Sequence, residues 1–164
     1  MGVLERFGIC SGKENFRETA LYALACAYSH IEKEISDHLR PFNLTPAKFN
    51  AMMVIKHIGK EEGLSQIDIG RRLIVTASNM TRLVDRMEKE GYIARLTRKG
   101  DRRVNLVRIS KKGSDLLDKV WPGYYQKITS MANQLNKDEL IKISDLLLKL
   151  SSSLEGAPAK GRKN

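Results

Sequence analysis

The chain has 164 residues, 41% hydrophobic and 29% charged, which predicts an ordinary globular domain rather than a disordered segment. No apolar run approaches the ~18 residues that span a bilayer, and residues 1–12 lack the features of a secretion signal, so we expect a cytoplasmic protein with no membrane role. Basic residues exceed acidic ones by 10, which indicates a polyanionic partner, and two cysteines are too few for a disulfide framework.

Two helices are predicted at the start of the chain. Apolar residues recur at helical spacing over about 14–39, and Pro41 ends this helix because the residue before a proline avoids the helical region. Thr45-Pro46 predicts the start of a second helix, with threonine as N-cap and proline in the first turn. This second helix is apolar nearly all round, so we expect it to be central.

A helix-turn-helix is predicted next. Ser65-Gln66-Ile67-Asp68 has a capping-box pattern and opens a short third helix that runs to about Leu73. Thr76 caps a fourth helix, which runs to Glu90 and stops at Gly91.

A basic β-hairpin follows. Two β-type runs, Tyr92–Thr97 and Val104–Ile109, flank a polar loop, which predicts a two-stranded hairpin. The segment from Arg71 to Lys112 holds thirteen basic and four acidic residues, an excess of nine positive charges in 42 residues. This asymmetry favours a nucleic-acid partner over a merely solvated charged face.

Two more helices complete the pattern. Ser110 caps a long fifth helix, in which Pro122 is expected to introduce a kink or to perturb the early turns. Asn136, with Glu139 three residues later, caps a last helix. From Ser151 onward the composition decays into a Gly/Pro/Lys tail that is expected to be disordered.

The predicted fold class is therefore mainly α with a small β-wing. A winged helix-turn-helix at 45–110 is expected to be the DNA-binding region. The helices at 14–40 and 111–154 carry near-heptad apolar stripes and are expected to form a dimerisation region. Residues 1–13 and 155–164 are predicted to be flexible termini.

The fourth helix has an apolar side and a polar, basic side. As the second helix of a helix-turn-helix it would enter the major groove, where arginine can fork onto guanine and asparagine onto adenine. Its first-turn amides suit a phosphate, and the hairpin tip can reach the adjacent minor groove. The predicted DNA-binding residues are Gln66, Thr76, Ser78, Asn79, Arg82 and Arg86, and in the hairpin loop Arg98, Lys99, Asp101, Arg102 and Arg103.

The sequence Ser-Asn-Met-Thr-Arg-Leu-Val-Asp-Arg-Met-Glu-Lys-Glu-Gly-Tyr-Ile-Ala-Arg at 78–95 strongly resembles the MarR family of bacterial transcription regulators. The Asp101-Arg102-Arg103 and Ser110-Lys111-Lys112-Gly113 stretches strengthen the resemblance, which extends from Leu21 to about Leu154. It implies a triangular homodimer, joined by its N- and C-terminal helices, that binds a pseudo-palindromic promoter site. It further implies a repressor released by a small ligand or by oxidation, with Arg103 in the minor groove and Asp101 supporting it.

The resemblance also implies an effector pocket between the dimerisation helices and the winged helix, as in phenol-sensing members. The expected ligand is a small phenolic or other aromatic molecule. Five side chains are candidates by position, with ordinary core packing as the alternative: Tyr28, Ile31, Met53, His57 and Trp121.

Other functions remain open at this point. Redox sensing would use Cys10 or Cys26, although neither has clear cations beside it, and a ladder of His30, Glu34 and His38 is a weak candidate for zinc. The main alternative is an architectural DNA binder with little sequence preference, and another is a winged helix used for protein interaction. No nucleophile–base pair, Gly-rich phosphate loop or carboxylate dyad stands out, so we expect neither catalysis nor a cofactor.

Overall fold

The computed structural model describes residues 15–73, 77–97 and 105–155, which fall into two compact units, 15–125 and 126–155. None of the helices in these stretches is both long and apolar enough to cross a membrane. The predicted fold class is confirmed, because helices predominate and the two longer strands of a small antiparallel sheet follow the fourth α-helix. In chain order the elements are α1 (Phe16–Leu39), a 3-10 turn (Arg40–Phe42), α2 (Pro46–Val54), a π-helical turn (Ile55–Gly59), β1 (Leu64–Ser65), α3 (Gln66–Gly70), α4 (Ala77–Lys89), β2 (Ile93–Thr97), β3 (Asn105–Ile109), α5 (Lys111–Ala132) and α6 (Lys137–Glu155).

Four predicted helix starts are confirmed by side-chain caps. In each case the side-chain oxygen of the N-cap residue accepts a hydrogen bond from the backbone N–H three residues later, which satisfies one of the free donors of the first turn. The caps are Thr45 with Lys48 at 3.2 Å, Ser65 with Asp68 at 3.1 Å, Ser110 with Gly113 at 3.0 Å, and Asn136 with Glu139 at 3.0 Å.

Two predicted helix ends were wrong. α3 stops at Gly70 rather than Leu73, and residues 71–73 form turns. α6 continues to Glu155, so 151–155 is helical and not a disordered tail. The hydroxyls of Ser152 and Ser153 donate to the carbonyls four residues earlier, at 3.0 and 2.8 Å, which lets serines remain inside a helix.

The proline of α5 does not end the helix. Pro122 lacks a backbone N–H, and a proline inside a helix usually kinks or breaks it. Here α5 runs as one helix from Lys111 to Ala132, with Pro122 in its interior.

The sheet of the described residues has a third strand that the sequence did not predict. Its order is β1-β3-β2, and both pairings are antiparallel. In β1, Leu64 pairs with Val107, which ties the start of the helix-turn-helix to the hairpin. A two-residue strand is too short to show the alternation that marks a strand in a sequence.

The core of the first unit is built around α2, as predicted. Phe49, Met52 and Ile55 are at most 1% exposed. The ring centroids of Phe49 and Tyr124 lie 4.6 Å apart. Burial raises the pKa of Tyr124 above its ordinary value. The buried apolar residues are Leu39, Leu44, Phe49, Ala51, Met52, Ile55, Ile69, Met80, Val84, Met87, Ile93, Val107, Leu117 and Val120.

The base of the hairpin is fastened to the start of α5. Gly91, with φ +76°, ends the helix that precedes the hairpin in the left-handed conformation that glycine tolerates. The hydroxyl of Ser110 donates to the Gly91 carbonyl at 2.7 Å, and its backbone N–H donates to the Tyr92 carbonyl at 2.9 Å. A Cβ at Gly113 would overlap the Tyr92 carbonyl, so the close approach of these elements requires glycine there.

Candidate nucleic-acid interface

The fourth helix divides into a buried side and an exposed side, as predicted from its sequence. Met80, Val84 and Met87 are at most 3% exposed and face the core. Asn79, Arg82 and the polar residues of the helix that follow them are exposed. The core therefore fixes α4 in rotation and leaves its polar side open.

The basic side chains of this polar side are available for an external partner. Arg82, Arg86 and Lys89 are exposed. Within the stretches that the structure describes, no ion pair or side-chain hydrogen bond involves any of the three. An arginine without an internal acceptor keeps its full set of donors for phosphate or for guanine.

A cleft runs between the N-terminus of α2 and the polar side of α4. Its volume is about 300 Å³. The positive end of the α2 dipole and two guanidinium groups lie at this cleft, which is the chemistry that binds a phosphate. Its lining residues are Thr45, Ala47, Lys48, Asn79, Arg82, Leu83 and Arg86.

The two acidic residues of α4 both form ion pairs with one residue of the sheet. Arg95 of β2 forms an ion pair with Asp85, and its Nε lies 2.9 Å from Glu88 Oε2. The positive side chains of α4 are thus not neutralised by the acids of the same helix.

Lys48 is a residue of this region that the sequence analysis missed. It is 5% exposed, and its Nζ lies 2.6 and 2.8 Å from the two carboxylate oxygens of Glu90. The same Nζ donates to the Asn43 carbonyl at 3.1 Å. This ion pair, with the lysine buried and the glutamate half-buried, joins α2 to the residue that follows α4. A single lysine within the largely apolar second helix was the only sign of it in the sequence.

The remaining predicted contacts with DNA have different positions. Gln66 is the first residue of α3 and is half-buried, and Ser78 lies in the first turn of α4. The structure brings Asn79, Arg82 and Arg86 together at one cleft. Thr76 and the loop residues Arg98, Lys99, Asp101, Arg102 and Arg103 lie outside the described residues.

The structure places two of the five candidate effector residues at one cleft. Tyr28 and Met53 line a cleft of about 670 Å³, whereas Ile31, His57 and Trp121 are exposed and lie outside its lining. The expectation that α5 contributes to the pocket does not hold for this cleft, since its described lining comes from α1, α2 with its N-cap, and the turn after α3. The lining residues are Tyr28, Glu32, Thr45, Pro46, Ala47, Asn50, Met53, Val54, Arg72 and Leu73.

The candidate redox and metal residues are placed as follows. Cys26 is half-buried in α1, and Cys10 lies outside the described residues. His38 packs against α5, with its Nε2 3.4 Å from the Val120 carbonyl oxygen. Residues 15–73, 77–97 and 105–155 contain no group of three or more His, Cys, Asp or Glu side chains arranged to hold a metal ion.

This arrangement defines a class of protein. A short helix, α3, packs against a second helix, α4, whose polar side is open, and an antiparallel hairpin follows directly. A helix-turn-helix places its second helix in the major groove of DNA. The combination with a β-wing is that of a winged-helix DNA-binding protein.

Comparison with known proteins identifies the family. The sequence profile of the MarR family matches residues 44–104. The HTH-type transcriptional regulator MhqR of Bacillus subtilis is 27% identical over 124 residues, which cover 76% of this chain and 83% of that protein. Residues 44–104 form a MarR-family domain, as the resemblance in the sequence predicted.

Solved structures share the fold. A mutant MarR from E. coli, crystallised with operator DNA, has a TM-score of 0.75 at 20% identity, and the match covers 85% of this chain and 99% of that one. BpsR of Bordetella bronchiseptica, whose DNA binding is regulated by 6-hydroxynicotinic acid, has a TM-score of 0.72 at 22% identity, and the match covers 81% and 98%. At these identities the likeness concerns the fold.

Proposed function

We propose that this chain is a sequence-specific regulator that binds double-stranded DNA as a homodimer and represses transcription until a small ligand releases it. The observation that carries the proposal is the polar side of α4, where Asn79, Arg82 and Arg86 are exposed beside one cleft. We assign DNA binding to 45–110 and dimerisation to 14–40 and 111–154. The relatives are transcription regulators, which supports a cytoplasmic protein without enzymatic activity.

The mixture of side chains on α4 favours base reading over purely electrostatic binding. An architectural DNA binder needs positive charge alone, because its affinity comes from phosphates. Asn79 beside Arg82 adds an amide that can pair with adenine next to a guanidinium that can fork onto guanine. We propose that these side chains read bases, while the Thr45 end of α2 and Arg86 contact phosphates.

Exposed apolar surface on two helices supports a homodimer. α1 and α6 each carry large apolar side chains between 42% and 68% exposed, and an isolated helix of this kind gains little stability in water. A second copy of the chain that covers these surfaces would form one symmetric interface across a pseudo-palindromic site. The side chains in this range are Phe16, Leu21, Tyr22, Tyr28 and Ile31 in α1, and Ile141, Ile143, Leu146, Leu148 and Leu154 in α6.

The 670 Å³ cleft supports control by a ligand. Its size suits a small organic molecule, and it combines the Tyr28 ring and the Met53 thioether with the Asn50 amide. We propose that a small phenolic or other aromatic ligand binds there. The cleft adjoins α2, whose N-terminus also lines the cleft beside α4, so a ligand that moves α2 would alter the DNA-binding surface.

The test is a fluorescence-anisotropy titration against the intergenic DNA upstream of the protein's own gene, with a random duplex as competitor. We expect a preference of ~10³ or more for the upstream DNA, release by salicylate as a phenolic probe, and no release by peroxide. Equal competition by random duplex would contradict sequence-specific regulation and favour an architectural role, and release by peroxide alone would favour a cysteine sensor. Sedimentation equilibrium of the free protein should give twice the mass of one chain.

A further inference from the structure

The acidic residues of α4 oppose the binding of a polyanion. Asp85 lies on the polar side of the helix, three residues after Arg82 and four before Lys89. At these spacings side chains on a helix are neighbours, so the carboxylate is able to pair with either cation. Such a pair would occupy a positive side chain that DNA phosphates need.

Arg95 prevents this pairing because it forms ion pairs with both acidic residues of the helix. Its guanidinium forms an ion pair with Asp85 and lies 2.9 Å, at Nε, from Glu88 Oε2. A guanidinium is a delocalised cation that can pair with two carboxylates at once. Its contact with Glu88 is an ion pair and not a hydrogen bond, because Arg95 Nε has no hydrogen-bond partner among the described residues. Arg95 is 31% exposed, less than either acid at 57% and 41%, so it lies under the acidic side chains rather than beyond them.

The consequence appears in the rest of the helix. With Asp85 and Glu88 held by β2, Arg82 and Lys89 have no carboxylate partner in the described parts of the chain. The excess of positive charge on the surface of α4 therefore depends on a residue of another element.

We propose that Arg95 is a positioning residue for DNA binding, which acts through Asp85 and Glu88 and not by touching DNA. This inference rests on the proposed function, since it requires that α4 face a duplex. Arg95 withdraws the two acids from α4 and cancels their charge, so that Arg82 and Lys89 stay free for bases and phosphates.

A double-mutant cycle tests this inference. Arg95→Gln is made in the natural protein and in an Asp85→Asn/Glu88→Gln background. Binding is measured by anisotropy on the upstream duplex and on a random duplex of equal length, between about 50 and 200 mM salt. In the natural background we expect about tenfold weaker binding and a salt slope lower by about one for each cation that the freed acids capture. In the background without the two acids, the same substitution should weaken binding less than about twofold, because no acid remains to be withdrawn.

Arg108→Gln is the matched control. Arg108 lies on the neighbouring strand β3 and pairs with Glu61 at 3.1 Å, so its removal costs one charge and one exposed ion pair without freeing an acid of α4. We expect about a twofold effect in both backgrounds. Melting temperatures are measured for every variant. If Arg95→Gln does not fold, Arg95→Lys, which has a single ammonium group for the two acids, takes its place in the same cycle.

The outcomes separate this inference from the proposed function. An equal loss of affinity in both backgrounds would mean that Arg95 contacts DNA directly. No loss of affinity in either background would mean that Arg95 plays no part in binding. Either result overturns the inference. A natural protein that binds both duplexes equally would remove sequence-specific regulation, while the cycle could still be read on random duplex. A natural protein that binds neither duplex at low salt would overturn both.

Discussion

Two groups of basic side chains in the winged helix differ in their surroundings. Lys48 and Arg108 each contact a carboxylate of a distant element, at 2.6 and 3.1 Å. Arg82 and Arg86 are exposed, and no acid of the described residues pairs with either. Lysine and arginine side chains therefore connect distant parts of the chain where a carboxylate is within reach. Where they face only solvent, they remain unpaired. Charge counts along the sequence do not distinguish the two groups.

The buried and exposed sides of α4 should differ most in stability when one side chain of each is removed. Met87→Ala should lower the free energy of unfolding by about 2–5 kcal/mol, because it opens a cavity in a fully buried site. Arg86→Ala, one residue earlier and exposed, should change it by less than about 0.5 kcal/mol. Urea denaturation measures both, and similar losses for the two variants would contradict the division of α4 into two sides.

Removal of a paired cation should have the next largest effect on stability. Lys48→Ala leaves Glu90 without its partner, and we expect a loss of about 2–3 kcal/mol, less than for a fully buried pair because the Glu90 side chain is 34% exposed. Lys111→Ala is the control, since its ion pair with Asp115 is exposed and should contribute under about 0.5 kcal/mol. Thermal melts that shift equally for the two variants would show that the Lys48 pair has no special weight.

Removal of an open cation should act on DNA binding alone. Arg82→Ala should relax the base preference at one position of each half-site by about 1–3 kcal/mol, if its guanidinium forks onto guanine. The melting temperature should stay the same. Binding to a set of single-base operator variants measures the preference, and an equal loss on operator and random duplex would assign Arg82 to a phosphate.

The smallest expected effect concerns the hairpin loop. Arg103→Ala should weaken operator binding about tenfold, or about 1.4 kcal/mol, if the side chain enters the minor groove as the family resemblance implies. Little change in melting temperature is expected. Lys99→Ala, in the same loop, provides a comparison, and unchanged affinity of the Arg103 variant would exclude this residue from the mechanism.

Features that depend on neighbouring residues were predictable from the sequence. The N-caps at Thr45, Ser65, Ser110 and Asn136 were predicted because a cap involves residues three apart. The two sides of α4 followed from the helical period for the same reason.

Features that depend on distant residues were not predictable. Lys48 and Glu90 are 42 residues apart, and Arg95 is one of thirteen basic residues in its segment, so only the folded chain shows which cations meet an acid. The same limit applies to the effector candidates. Helical position placed Tyr28 and Met53 on the cleft, but it could not give the relation of Ile31, His57 and Trp121 to it.

The short strand β1 has a consequence for hybrid regulators. Ser65 is the last residue of β1 and also the N-cap of α3, so the strand that pairs with the hairpin continues directly into the helix-turn-helix. After the hairpin, Gly113 of α5 packs closely against the Tyr92 carbonyl. A chimera that exchanges α4 or the hairpin alone between two relatives would thus combine segments whose contacting residues come from different proteins. An exchange of 45–113 would keep these contacts together with the Lys48–Glu90 ion pair.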